Sequence, residues 1–137
     1  MITGARQRVS HLGQITLLVH DYDDAIRFFV DSLGFTLVAD DDMGNRKRRV
    51  VVSADAAAQT GLLLARAVND EQAAAIGSQA GGRVAFFLYT DDFAASYAHM
   101  SAAGVTFCEE PRHETYGSVV VFEDISGNRW DLMQPKS

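Results

Sequence analysis

The sequence predicts an α+β protein built from two tandem βαβββ modules, residues 11–66 and 82–135, joined by a connection over 67–81 and preceded by a tail over 1–10. Three observations carry this prediction. The apolar run Ile15 to Val19 leads into an acidic helix opening at Asp21, Asp23 and Asp24, and the run Val84 to Leu88 leads into Asp91 and Asp92. Each helical stretch ends at a glycine, Gly34 or Gly104, and the two stand 70 positions apart. Strand-like runs follow each glycine in the same order. One offset shared by strand, cap, helix and turn marks an internal repeat, and a repeat decides architecture before any single element does.

Taken in order, Gly13 to Val19 is mostly apolar and β-branched and reads as a buried strand. Asp21 to Asp24 supply an N-cap and first-turn carboxylates that complement the exposed amides of a helix start. Ala25, Ile26, Phe29 and Leu33 recur at helical spacing, and Gly34 stops the helix. Phe35 to Ala39 reads as a strand. Asp40 to Asn45 has turn chemistry. Strands follow over Arg48 to Ser53 and Gly61 to Ala65, separated by a loop, and Glu71 to Ile76 gives a helical turn or two in the connection. The second module repeats this with a strand over Arg83 to Tyr89 and a helix over Asp92 to Ala103. Its remaining strands are Val105 to Glu109, Gly117 to Glu123 and Asn128 to Met133. Ser126-Gly127-Asn128 makes the tight turn of a final hairpin.

Bulk composition narrows the function classes. A net charge of −6 argues against nucleic acid, whose phosphates need clustered cations. The single basic run, Arg46 to Arg49, sits between two strand-like stretches and reads as a solvated hairpin. Cys108 is the only cysteine, which excludes an intrachain disulfide and fits a reducing, cytoplasmic setting. No apolar run approaches the ~20 residues of a membrane span, and the first residues lack the apolar segment of a signal peptide.

Two βαβββ modules, the Leu33-Gly34-Phe35 helix exit, its counterpart Ala103-Gly104-Val105, and the ending Asp124-x-x-Gly127-Asn128-x-Trp130 together resemble the glyoxalase / bleomycin-resistance / extradiol-dioxygenase (vicinal oxygen chelate) superfamily over about residues 11–135. The resemblance implies a curved mixed sheet enclosing a U-shaped cleft, and a homodimer. It implies binding of a small organic molecule in that cleft, or alternatively a metal-dependent lyase, isomerase or dioxygenase activity. Metal-dependent members place four ligands in the cleft, which map here onto Gln14, Gly61, Arg83 and Asp131. That set is incomplete: glycine offers no side chain, and a guanidinium has no lone pair and repels a divalent cation. No cofactor is therefore expected, although the resemblance leaves a divalent metal open. The corresponding expectation is an ion pair between Arg83 and Asp131 where a metal would sit, either neutralising the pair structurally or presenting Arg83 to a ligand.

Strand parity adds Phe87 to the cleft, with Thr16, Leu18 and Leu63. The stretch Arg112 to Gly117 reads as a loop over the cleft, which makes His113, Glu114 and Tyr116 candidate ligand contacts. Cys108 reads as a packing cysteine whose thiol pKa is raised by neighbouring glutamates. No phosphate loop, nucleophile elbow or Ser/His/Asp order is present.

Overall fold

The computed structural model describes residues 9–137, so the tail over 1–10 lies mostly outside the described residues. Module 1 comprises β1 (Gln14–Val19), α1 (Tyr22–Arg27) continued by a π-helical turn (Phe28–Ser32), β2 (Thr36–Asp42), β3 (Arg48–Ser53) and β4 (Gly61–Arg66). A short α2 (Asp70–Ala75) lies in the connection. Module 2 comprises β5 (Val84–Tyr89), α3 (Phe93–Ala102), β6 (Thr106–Phe107), β7 (Arg112–Glu114), β8 (Gly117–Glu123) and β9 (Arg129–Pro135). The sheets share one plan, β1-β4-β3-β2 and β5-β9-β8-β6, with β7 also on β8. In both, the first and last strands are parallel and the remaining pairs antiparallel.

Alternation along the strands divides each sheet into a core face and a helix-free face. Leu17, Val19, Val50, Val52, Leu62 and Leu64 turn to α1, while Val120, Phe122, Trp130 and Leu132 turn to α3, and all belong to one continuous core. Trp130 is its hub: its ring lies 5.8 Å from Phe29 and 6.0 Å from Phe35 of module 1, and 4.6 Å from Phe86 and 5.7 Å from Phe122 of module 2. Burying an indole strands its N–H unless an acceptor follows it inside. Asp124 is that acceptor. Its carboxylate takes the Trp130 Nε1–H at 3.0 Å, the Asn128 side-chain amide at 3.1 Å, and the backbone N–H groups of Ser126 and Asn128. The Asp-x-x-Gly-Asn-x-Trp ending is thus a turn whose buried carboxylate is satisfied by the residues it spaces. Gly127 adopts φ +95°, open to glycine.

Two stretches differ from expectation. Asp40 to Asp42 continue β2 instead of turning, because Asp40 pairs with Arg48 at 2.8 Å and Asp41 with Arg49 at 3.2 Å across the hairpin. Opposite charges facing each other across strands stabilise the pairing that turn propensity alone would end. The turn falls at Gly44 to Lys47 instead, with the Lys47 N–H donating to the Gly44 carbonyl at 3.0 Å. Residues 112–117 are a hairpin rather than a loop, Glu114 pairing with Gly117.

The repeat offset is not constant either. The helix N-caps, Asp21 and Asp92, stand 71 positions apart, whereas Gly34 and Gly104 stand 70 apart. The extra residue of module 1 is absorbed by the π-helical turn over Phe28–Ser32, the usual way a helix accommodates an insertion.

Candidate functional site

Strand residues that point away from the core define the helix-free faces, and the register shows which of them meet. In module 1, Gln14 pairs with Gly61 on the neighbouring strand, and Leu63 follows on the same face. In module 2, Asp131 pairs with Phe87 on one side and Val121 on the other. The expected Arg83–Asp131 ion pair does not form. Arg83 precedes β5, is exposed, and takes part in no ion pair among the described residues.

Strand register gives the reason for this correction. With the N-caps 71 apart, the core pairs Ile15–Leu62 and Leu17–Leu64 correspond to Phe86–Trp130 and Leu88–Leu132. The counterpart of Gln14 is then Ala85, sitting at a β-bulge, rather than Arg83. The counterpart of Asp131 is Leu63 rather than Gly61. Gly61 has a different reason to be glycine. A Cβ there would meet Val51 Cγ1 at 2.8 Å and the Val52 carbonyl oxygen at 3.1 Å.

Asp131 is electrostatically placed by residues the sequence reading passed over. Arg112 donates to Glu109 at 3.0 and 3.1 Å, and the Val121 N–H donates to Glu109 Oε2 at 3.0 Å. Burial pushes the Asp131 carboxyl above the usual carboxylate range, with the Arg112 charge opposing and Glu109 reinforcing. Asp131 Oδ1 is buried and has no hydrogen-bond partner. Beside it Phe87 is 61% exposed, an aromatic face with nothing packed on it. Tyr116 is 50% exposed, and its side chain joins Glu109, the larger influence, in holding the Arg112 guanidinium charged and raising its pKa. His113 does not belong to this cluster. It faces Ser118 with Nδ1 and Oγ 2.9 Å apart, and its ring centre lies 6.3 Å from that of Phe93 in an edge-to-face arrangement, which puts it on the α3 side of the sheet. Glu114 is exposed at the hairpin end. The available clue to Glu109 and Arg112 was the oppositely charged pair three residues apart before a strand. It needed the hairpin to say which face they take.

A divalent metal does not fit these residues. The four corrected positions are Gln14, Leu63, Ala85 and Asp131, so two hydrocarbon side chains stand where donors are needed. Among the described residues no group of three or more His, Cys, Asp or Glu side chains comes together. Cys108 is exposed, not packed. Its thiol is pushed up by partial desolvation and then by Glu123.

A recess lies at the open end of module 1. It measures about 640 Å³ and is bounded by β4, the β2–β3 hairpin and the start of α2. Gln14 and Leu63 lie on its wall.

Two βαβββ units with a shared core and solvent-facing helix-free sheets define a two-module small-domain scaffold of the glyoxalase-like fold. The chain belongs to the Glyoxalase/Bleomycin resistance protein/Dioxygenase superfamily, whose model matches residues 11–132. It is 48% identical over 130 residues to an uncharacterized protein of Shewanella frigidimarina, covering 94% of each chain. Among solved structures it resembles UcmS2 (27% identity, TM-score 0.79, 92% of this chain and 98% of that one). It also resembles TnmS3, an antibiotic binding protein from Streptomyces sp. CB03234 (28% identity, TM-score 0.75, 96% and 100% covered). Among the described residues no helix is long and apolar enough to cross a membrane.

Proposed function

We propose that this protein binds a small organic molecule on the helix-free face of module 2 without using a metal, and that Asp131 anchors it. The observation that carries this reading is the buried, unpartnered Asp131 Oδ1 beside the open ring of Phe87. A buried acceptor without a donor is unfavourable by about 1–3 kcal/mol, and a ligand N–H or O–H placed there recovers that energy. Phe87 offers a flat apolar surface for a ring carried by the same ligand. Glu109, held by Arg112 and the Val121 N–H, adds negative potential and favours a donor of positive or partial positive charge. The likeness to an antibiotic binding protein supports sequestration as the biological use. Among the described residues the edge strands β1 and β5 have no strand neighbour on their outer sides, which suits assembly as a homodimer.

Proflavine, an aromatic ring system with amino donors, tests the site by titration calorimetry. Asp131→Asn and Phe87→Ala should each weaken it about tenfold, as expected for loss of one charge-assisted hydrogen bond or one aromatic contact. Unchanged affinity in both variants overturns the assignment. The same Asp131→Asn protein carries a stability signature. Because the folded carboxyl titrates above its unfolded value, ionisation destabilises the fold as pH rises from about 4 through the raised value. Asp131→Asn should therefore unfold at higher temperature than the parent at pH 7, with the gap closing below pH 4.

A further inference from the structure

We infer that the recess at the open end of module 1 is a second site, one that takes a small organic anion through Arg66 and Lys47. In a chain of net charge −6, every charged residue lining this recess is a cation: Lys47, Arg48, Arg49 and Arg66. Two of them are already neutralised. Arg48 pairs with Asp23 at 2.9 Å and with Asp40 at 2.8 Å, and Arg49 pairs with Asp41. Arg66 and Lys47 have no carboxylate partner among the described residues.

Arg66 is also held in place before any ligand arrives. Its Nη2 donates to the Arg46 carbonyl at 3.2 Å, and its guanidinium carbon lies 5.8 Å from the centre of the Tyr22 ring. Tyr22 is itself buried, and its hydroxyl accepts from the Arg48 N–H at 3.2 Å. The carbonyl that Arg66 uses belongs to a strained residue. Asn45 and Arg46 have φ +54° and +65°, a left-handed pair forming the tip of the β2–β3 hairpin. Asparagine tolerates that conformation, but a long side chain with a Cβ does not favour it. Backbone held in a disfavoured region is often retained where it positions a group. Here it turns a carbonyl onto Arg66 and leaves the remaining guanidinium donors unclaimed.

Those donors suit a carboxylate, sulfonate or phosphate oxygen pair, which a planar guanidinium meets two at a time. Met43 and Leu63 on the same wall supply apolar surface for the body of the molecule. The ligand class is thus an amphipathic organic anion, and its site is separate from Asp131, which repels it.

The test uses two fluorescent probes of one shape: 1-anilinonaphthalene-8-sulfonate and the neutral N-phenyl-1-naphthylamine, which lacks the sulfonate. The intact protein should bind the sulfonate at least tenfold more tightly. Arg66→Gln should weaken the sulfonate about tenfold and shift the neutral probe by less than twofold. Lys47→Gln, on an exposed hairpin, should weaken the sulfonate about threefold and keeps the test alive if Arg66→Gln fails to fold. Asp131→Asn should leave sulfonate affinity in place, so that failure here is separate from failure of the proflavine site. Equal binding of the two probes, no sulfonate binding, or sulfonate affinity indifferent to both variants overturns the inference.

Discussion

Module 1 and module 2 close their last strand pair in different ways. Between β3 and β4 of module 1 the chain makes an exposed excursion over residues 54–60, pinned locally by Ser53 Oγ donating to the Asp55 carbonyl and the Ala57 N–H donating to the Asp55 side chain. Between β8 and β9 of module 2 the turn is short, and its buried Asp124 is wired to Trp130, the ring on which both modules meet. The faces differ too: module 2 presents a half-buried carboxylate with one unpartnered oxygen and an open phenyl ring, module 1 a recess whose charged walls are all basic. A shared strand plan therefore fixes where a face lies while side chains at the same level decide what it holds.

The sharpest way to break this comparison is at the two closures. Asp124→Ala leaves the buried donors of Asn128 and Trp130 without an acceptor and should destabilise the protein by roughly 3 kcal/mol. Asp55→Ala in the exposed counterpart should change it by less than ~0.5 kcal/mol. Chemical denaturation compares the two directly, and equal losses would remove the asymmetry between modules. Gly61→Ala comes next. Its Cβ must displace Val51 or the Val52 carbonyl, which predicts a loss of about 1–3 kcal/mol in thermal unfolding. A neutral result would return Gly61 to the status of a missing ligand rather than a packing requirement.

The smallest expected effect concerns the hairpin tip. Arg46→Gly relieves about 1 kcal/mol of left-handed strain but adds freedom to the unfolded chain, for a net gain of ~0.5 kcal/mol. Because glycine keeps the carbonyl that Arg66 uses, sulfonate binding should persist. A loss of stability there would mean that the Arg46 side chain, and not the turn, carries the contact.

Much of the architecture was legible in local pattern. Apolar alternation placed β3 and β8 at their observed limits, and acidic openings located both helix caps. Phe87 was reached by counting in twos from the start of its strand, since alternation survives small errors in where a strand begins. Mapping between modules did not survive, because the offset is 71 on the first strands and 68 on the last, so the counterparts of Gln14 and Asp131 each lie two residues from where a single offset puts them, on the same face. His113 left the site and Arg112 joined it because adjacent strand residues point to opposite sides, and nothing local said that this stretch was a strand.

Order, type and approximate extent of the elements followed from composition and periodicity, which act between residues close in the chain. Which charges meet was a matter of long-range register. Arg66 finds the Arg46 carbonyl, and Asp131 finds the pair Glu109–Arg112, only once strands distant along the chain lie side by side. Electrostatic interaction depends on separation in space and on how much water remains between the groups, and neither quantity is written in spacing along the chain.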